Sequence, residues 1–289
     1  MRMDQHIIVI GGMNIDILAT TNLSFQLEDS NPGHHVMDTG GVGFNIAYDL
    51  SLSYQKVSFF TVIGEDQFHH LLKDACETQH IQVYSPYSNR SCLYVALFDH
   101  HGDLQGAVAS MDAMDALNAS FLKQYEPMLK QADVIICDAN LSKDALSYIA
   151  QLQHPFKIIE LVSVEKAKKI KDIQNGFHWI KGNHKEVTML FSSSTIMDTL
   201  LPEQAVIVTN QTKDAQFITK EQIRTYHIET STEVLNTSGA GDAFLVGCID
   251  GYFKGKDILK QGHRMSLCAL KSKNSKMLKE CAIHEHQNQ

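Results

Sequence analysis

The sequence predicts an α/β fold with a central, mostly parallel sheet, helices on both of its faces and a small β-rich lid. Three observations point there. Short, unbroken apolar runs alternate with segments of helical period; several of those runs end in Gly, Asn or Asp; and two stretches interrupt the alternation with strand-like or aperiodic sequence. Strands buried on both faces read as continuous apolar runs, and strand–helix alternation makes neighbouring strands parallel.

In chain order, the first run is His6–Ile10, followed by Gly11-Gly12-Met13-Asn14-Ile15-Asp16. Further runs are Val57–Ile63 (ending in Gly64-Glu65-Asp66), Asp133–Asp138, Phe156–Val162, Trp179-Ile180 and Ala205–Thr209. Helical patterns lie between them at Gly43–Ser53, Gln67–Gln79, Ser142–Gln153, Glu165–Ile173 and Gly241–Phe253. Ligands of such sheets bind outside the carboxyl ends of the strands, so the residues just after these runs are the site candidates. Ile17–Thr39 has no helical period. Ser91–Met111 reads as two strands, Ser91–Asp99 and Leu104–Ala109, joined by the hairpin signal His100-His101-Gly102-Asp103. Residues 17–39 and 91–111 are assigned to the lid, as insertions in a single domain spanning 1–289; no repeat, low-complexity tract or long linker divides the chain.

With 289 residues, 44% hydrophobic and 20% charged, the chain can bury one large core. Its 33 acidic and 25 basic side chains give a net charge of -8. That balance argues against general attraction to nucleic acid or an anionic membrane. The lysine clusters Lys166–Lys171 and Lys271–Lys279 read as solvated helix faces. Met1–Gln5 is polar and the Ile7–Ile10 run is far too short to span a bilayer, so no signal peptide and a cytoplasmic location are expected. The six cysteines have no C-x-x-C spacing and are expected to be reduced thiols. The fifteen histidines are scattered; His34-His35 and His69-His70 lack a nearby ligand set, and no histidine metal site is expected.

Chemistry concentrates at Gly239-Ala240-Gly241-Asp242, just before a helical pattern. Small residues let backbone N–H groups approach a ligand, and a helix start offers unpaired donors and partial positive charge. An acidic residue there repels anions, so its chemical use is as a base taking a hydroxyl proton beside an anion hole. Taken alone, the tetrapeptide is equally a Gly-rich turn with Asp242 as a helix cap.

The wider segment Asn236-Thr237-Ser238-Gly239-Ala240-Gly241-Asp242 resembles the D-T-x-G-A-G-D motif of the ribokinase-like (PfkB) carbohydrate kinases, differing only at its first position. Four more elements resemble that family in the expected order: Gly12-Met13-Asn14-Ile15-Asp16, Gly40-Gly41-Val42-Gly43-Phe44-Asn45-Ile46-Ala47, Gly64-Glu65-Asp66 and Asn183-His184-Lys185-Glu186. The resemblance implies a three-layer ribokinase-like fold and phosphoryl transfer to a sugar or nucleoside hydroxyl. It implies Asp242 as general base and the N–H groups of Gly239, Ala240 and Gly241 as the anion hole. Asn14, Asp16, Gly40, Gly41, Asn45 and Asn140 would hold the substrate. Asn183, Thr209, Thr237, Gly239 and Gly241 would contact the nucleotide, and Glu186 with Asn183 would organise Mg²⁺ through water. ATP and Mg²⁺ are the implied cofactors; a monovalent cation beside the Gly239 loop is left open, and a homodimer through the lid is a further family expectation. Outside the resemblance, Asn183 and Glu186 read as an ordinary helix start, and Asp16 as a turn former.

Other features resemble the pseudouridine-phosphorylating branch: Ser30-Asn31-Pro32-Gly33 before the Gly40 motif, Met111-Asp112, Asp138-x-Asn140-Leu141 and Val162-Ser163-Val164-x-Lys166. Ser30 and Asn31 would contact the uracil ring or simply form the turn before Pro32. The chain departs from the family pattern at Asn236, at Thr209-Asn210-Gln211 (usually T-L-G), at Lys213-Asp214 (usually containing Gly) and at Glu160-Leu161 (Asp-Pro in that branch). Other sugar or nucleoside kinases of the family, or a weakly catalytic binding homologue, are the alternatives. A dinucleotide-dependent oxidoreductase is discounted, since Gly40-Gly41-x-Gly43 lacks the G-x-G-x-x-G spacing.

Overall fold

A computed structural model describes residues 3–153, 155–191, 196–210, 214–227 and 239–271. Two sheets carry the fold. Their strands, in chain order, are β1 (Met3–Ile10), β2 (Asn14–Thr21), β3 (Gly33–Gly40), β4 (Tyr54–Phe60), β5 (Gln82–Tyr84), β6 (Cys92–Phe98), β7 (Leu104–Ser110), β8 (Val134–Asp138), β9 (Phe156–Glu160), β10 (Trp179–Asn183), β11 (Ala205–Asn210), β12 (Asp214–Thr219) and β13 (Ile223–His227). The large sheet has the order β13-β12-β11-β10-β9-β8-β1-β4-β5. It is parallel from β5 to β11, and its β12 and β13 edge is antiparallel. The small sheet has the order β3-β2-β6-β7.

Side chains on a strand alternate between faces, and β1 shows what that does here. Ile8 and Ile10 pack into one buried cluster with Ile135, Leu146, Ile149 and Val187. Ile7 and Val9 pack into a second with Phe44, Leu50, Leu72, Leu245 and Leu259. The first cluster takes in the helices Lys143–Gln151 and His184–Leu190; the second takes in Val42–Ser53, His69–Glu77, Ala240–Phe253 and Ile258–Lys271. Helices therefore cover both faces of the sheet, giving three layers.

Several elements differ from their sequence-based bounds. The β9 run stops at Glu160 because the chain turns at Val162, whose φ of 66° is unusual for a β-branched residue. The expected helix Glu165–Ile173 is a single α-turn, Val164–Ala167, capped by Ser163 and continued by the 3₁₀ turn Lys168–Ile170. β2 begins at Asn14, so the Asn14-Ile15-Asp16 segment is the root of the small sheet rather than the tail of β1. Asp66 ties that sheet to the core from the other side. Its carboxylate accepts from the Ser91 backbone N–H at 2.6 Å and the Ser91 hydroxyl at 2.9 Å, just before β6 starts. Among the described residues no helix is long and apolar enough to cross a membrane.

Candidate active site

The carboxyl ends of β1 and β8 meet the root of the small sheet. Asp138, at the end of β8, accepts from the Gly12 N–H and the Asn140 N–H, each at 2.8 Å. It thereby holds the loops after β1 and β8 together. Burial raises its carboxyl above the ordinary range, against the pull of those two donors. The Asn140 side chain lies beside Gly12, and its oxygen accepts from the Lys166 ammonium. On β2, the Asn14 amide donates to Asp16 at 2.6 Å, and Asn14 pairs across the ladder with Gly40. The Asp16 carboxylate lies directly against Gly40. Gly41 has φ 104°, and a side-chain carbon there would come within 2.5 Å of the Gly12 carbonyl oxygen, so only glycine fits. The structure thus brings Asn14, Asp16, Gly40, Gly41 and Asn140 together.

Asn45 follows Gly41 in the first turn of the Val42–Ser53 helix, where its N–H donates to the Gly41 carbonyl at 2.9 Å. Its side-chain amide donates to Asp242 at 2.8 Å. Asp242 lies in the first turn of the Ala240–Phe253 helix, which starts from a left-handed Gly239 with φ 75°. Donors in a first helical turn lack intrahelical partners, and Gly241 is exposed while Asp242 is only 8% exposed. The result is an exposed glycine at a helix start beside a sheltered carboxylate. Burial raises the Asp242 pKa to about 6; the Asn45 bond and Lys181 oppose this, and Asp138 adds to it.

Lys181 was not among the sequence candidates. It projects from β10 opposite Glu160 of β9, and its ammonium lies 2.8 Å from that carboxylate, with both side chains 5% exposed. A side-chain carbon on Gly241 would lie 3.2 Å from the same ammonium, so the cation sits directly beneath the glycine turn. Burial pushes Glu160 up to about 8, against the attraction of Lys181. Burial also works against the Lys181 charge, but Glu160, Asp242 and Glu186 outweigh it and the lysine pKa is raised. The sequence signal was present: a charge inside each of two successive apolar strands, which is uncommon unless the two pair.

Further along the sheet, Asn183 and Glu186 form a reciprocal cap at the start of the His184–Leu190 helix. The Glu186 carboxylate accepts from the Asn183 N–H at 2.8 Å and the Asn183 amide at 2.7 Å, while the Asn183 oxygen accepts from the Glu186 N–H at 3.0 Å. Thr209 lies beside Asn183 on the neighbouring strand. Both Glu186 oxygens are thus engaged by Asn183, and the described residues contain no group of three or more His, Cys, Asp or Glu fit to hold a metal directly. That donor set suits a hydrated divalent ion held through water, the usual state of Mg²⁺ at such sites. Where the family pattern has glycine, Asp214 pairs with His227 at 2.8 Å, and a cavity of about 140 Å³ is lined by His184, Val208, Asn210, Asp214 and Gln216. A larger cavity of about 880 Å³ lies at the opposite ends of the strands, around Lys157, His178 and Gln204, and contains none of these groups.

Thr237, Asn236, Ser238, Gln211 and Lys213 lie outside the described residues. Asn31 closes its own loop, accepting from the Gln26 N–H and donating to the Gln26 carbonyl, each at 2.8 Å. Asn31 thus shapes the turn ahead of Pro32.

The family model described as pfkB family carbohydrate kinase matches residues 4–277. The chain belongs to that family. This PfkB kinase is 28% identical to pseudouridine kinase of Escherichia coli (strain K12) over 262 residues, which cover 86% of this chain and 83% of the relative. Its fold matches a carbohydrate kinase from Agrobacterium tumefaciens with TM-score 0.85 at 24% identity, over 97% of this chain and 96% of the other. It also matches ribokinase from Thermotoga maritima with TM-score 0.80 at 18% identity, over 94% and 95% of the two chains. The fold is accordingly ribokinase-like, and the protein is a sugar or nucleoside kinase.

Proposed function

We propose that the chain transfers the γ-phosphoryl group of ATP to the 5′-hydroxyl of pseudouridine, with Asp242 as the general base. The observation that carries the catalytic reading is the sheltered Asp242 carboxylate, held by Asn45 in the first turn of a helix that starts from a left-handed glycine. A base with a pKa of about 6 is ionised near neutral pH yet basic enough to draw a proton from an attacking hydroxyl. The substrate lies against Gly40 and Gly41, with its hydroxyls on Asn14, Asp16 and Asn140. The N–H groups of Gly239, Ala240 and Gly241 receive the charge that develops on the transferring group, and Lys181 supports it from below. Asn183, Thr209 and Thr237 contact the nucleotide phosphates, and Asn183 and Glu186 hold Mg²⁺ through water. When bound, that ion neutralises phosphate charge.

Support for pseudouridine over other acceptors comes from the 28% identity to the Escherichia coli enzyme and from the Lys166–Asn140 contact, which unites two segments resembling that branch. Ribose-type sugars and other nucleosides form the second reading. The reading also includes a homodimer through the small sheet, supported by exposed Val36, Met37, Leu104 and Val108 on its edge strands. The test of the catalytic reading is phosphoryl transfer from ATP to a panel of pseudouridine, uridine, adenosine, ribose and fructose. Turnover of ribose far above pseudouridine would sink the branch assignment, and no turnover of any acceptor would sink the activity.

A further inference from the structure

The Val42–Ser53 helix carries a second acidic group that the catalytic reading does not use. Asp49 lies one helical turn beyond Asn45, on the same face, and is only 3% exposed against 8% for Asn45. The Asn45 amide nitrogen is committed to Asp242. Its oxygen points elsewhere and, among the described residues, has no hydrogen-bond partner; one Asp49 carboxyl oxygen is likewise buried and unpartnered. Two buried acceptors one helical turn apart cannot bond each other, and each is costly to leave unpaired. A single proton on Asp49 removes both defects.

We propose that Asp49 is held as a neutral carboxylic acid that donates its proton to the Asn45 oxygen and, through Asn45, positions the catalytic carboxylate. The electrostatic surroundings agree. Burial and the neighbouring Asp242 charge both push the Asp49 carboxyl well above the ordinary range. Lys181 pairs with Glu160 and Lys254 with Asp250, and Lys56 lies at the exposed start of β4. Tyr48, on the same helix, is raised by burial, by Asp49 and by Asp38, and brings no positive charge. The consequence concerns orientation. An Asn amide can rotate to present either its oxygen or its nitrogen, and the wrong face would set two acceptors against each other at Asp242. A donor fixed on the oxygen selects the face that gives Asp242 its N–H.

The inference rests on Asp242 being the base, and its test separates the two. Asp49→Asn replaces the acid hydroxyl with an amide N–H, so kcat is expected within about threefold of wild type, whereas Asp49→Leu removes the donor and lowers kcat about tenfold or more with KM nearly unchanged. In Asp49→Leu the acid limb of kcat/KM also moves to higher pH, because an unlocked Asn45 no longer stabilises the ionised base. A second readout needs no substrate. A carboxyl whose folded pKa is raised costs stability increasingly as pH rises above its unfolded pKa. Asp49→Asn should therefore unfold at higher temperature than wild type, the difference widening from about pH 5 to about pH 8. Loss of activity in Asp49→Asn equal to that in Asp49→Leu would overturn the proposal. So would a lower unfolding temperature for Asp49→Asn at neutral pH, the signature of an ionised Asp49 paired with a bound cation. An unmoved acid limb in Asp49→Leu would do the same. Failure of the base reading appears separately, as an Asp242→Asn variant with normal kcat.

Discussion

Replacing Asp242 by Asn should stabilise the protein while disabling it. The folded pKa of Asp242 is about 6, against an ordinary value of 3.8. Between those values the folded state binds more protons at this site than the unfolded state, so stability falls as pH rises through that window. The loss is complete above the folded pKa. At 1.36 kcal/mol per pH unit, the gap between 3.8 and about 6 corresponds to roughly 3 kcal/mol. Asparagine carries no charge at any pH and escapes this cost. Its side-chain oxygen can still accept from the Asn45 amide, and Lys181 keeps Glu160 as its partner. For a chain of this size about 2 °C of Tm follows each kcal/mol, so Asp242→Asn should unfold about 6 °C above wild type near pH 8. The difference should shrink towards zero near pH 4. Thermal or urea unfolding of both proteins across that range measures it. A variant less stable than wild type at pH 8, or a difference indifferent to pH, would refute the reasoning that burial, not pairing, dominates at Asp242.

Two other consequences are open to measurement. Lys181→Met removes a cation that holds the Asp242 pKa down, so the acid limb of kcat/KM should move up by about one to three pH units; Glu160→Gln combined with Lys181→Met avoids stranding a buried charge and controls for folding, and an unmoved limb would remove Lys181 from the account. Charging the exposed lid positions with Val36→Glu and Val108→Glu should convert a homodimer to a monomer in sedimentation equilibrium. A wild-type protein that sediments as a monomer at micromolar concentration would exclude the lid dimer.

How much of this was legible beforehand follows from where each residue's partners lie. The parallel strands announced themselves because alternate residues such as Ile7 and Ile8 are buried on opposite faces, leaving no polar positions to break the run. β13 is the edge strand with Ile223, Thr225 and His227 exposed, and β12 beside it alternates buried Ala215 and Phe217 with half-buried polar positions, so neither forms such a run. The Ile258–Lys271 helix was hidden because its inward positions are Leu259, Gly262, His263 and Ala269, an apolar face built largely from small residues. In the site, residues carried by short motifs were readable: Asn183 and Glu186 bond within four positions, and Gly239 to Asp242 form one turn. The Asn45–Asp242 bond was not, since helix packing alone joins its residues; Glu160 and Lys181 showed only as charges inside two apolar strands, and strand register sets one opposite the other.

The central claim is that Asp242 takes the proton from a nucleoside hydroxyl as the phosphoryl group arrives. Single-turnover transfer from γ-labelled ATP to pseudouridine, by wild type and by Asp242→Asn, tests it most directly. The account predicts label on the 5′-oxygen with wild type, and a rate lower by about 10²–10⁴-fold in the variant with near-normal pseudouridine binding. Equal transfer rates in the two proteins would contradict it.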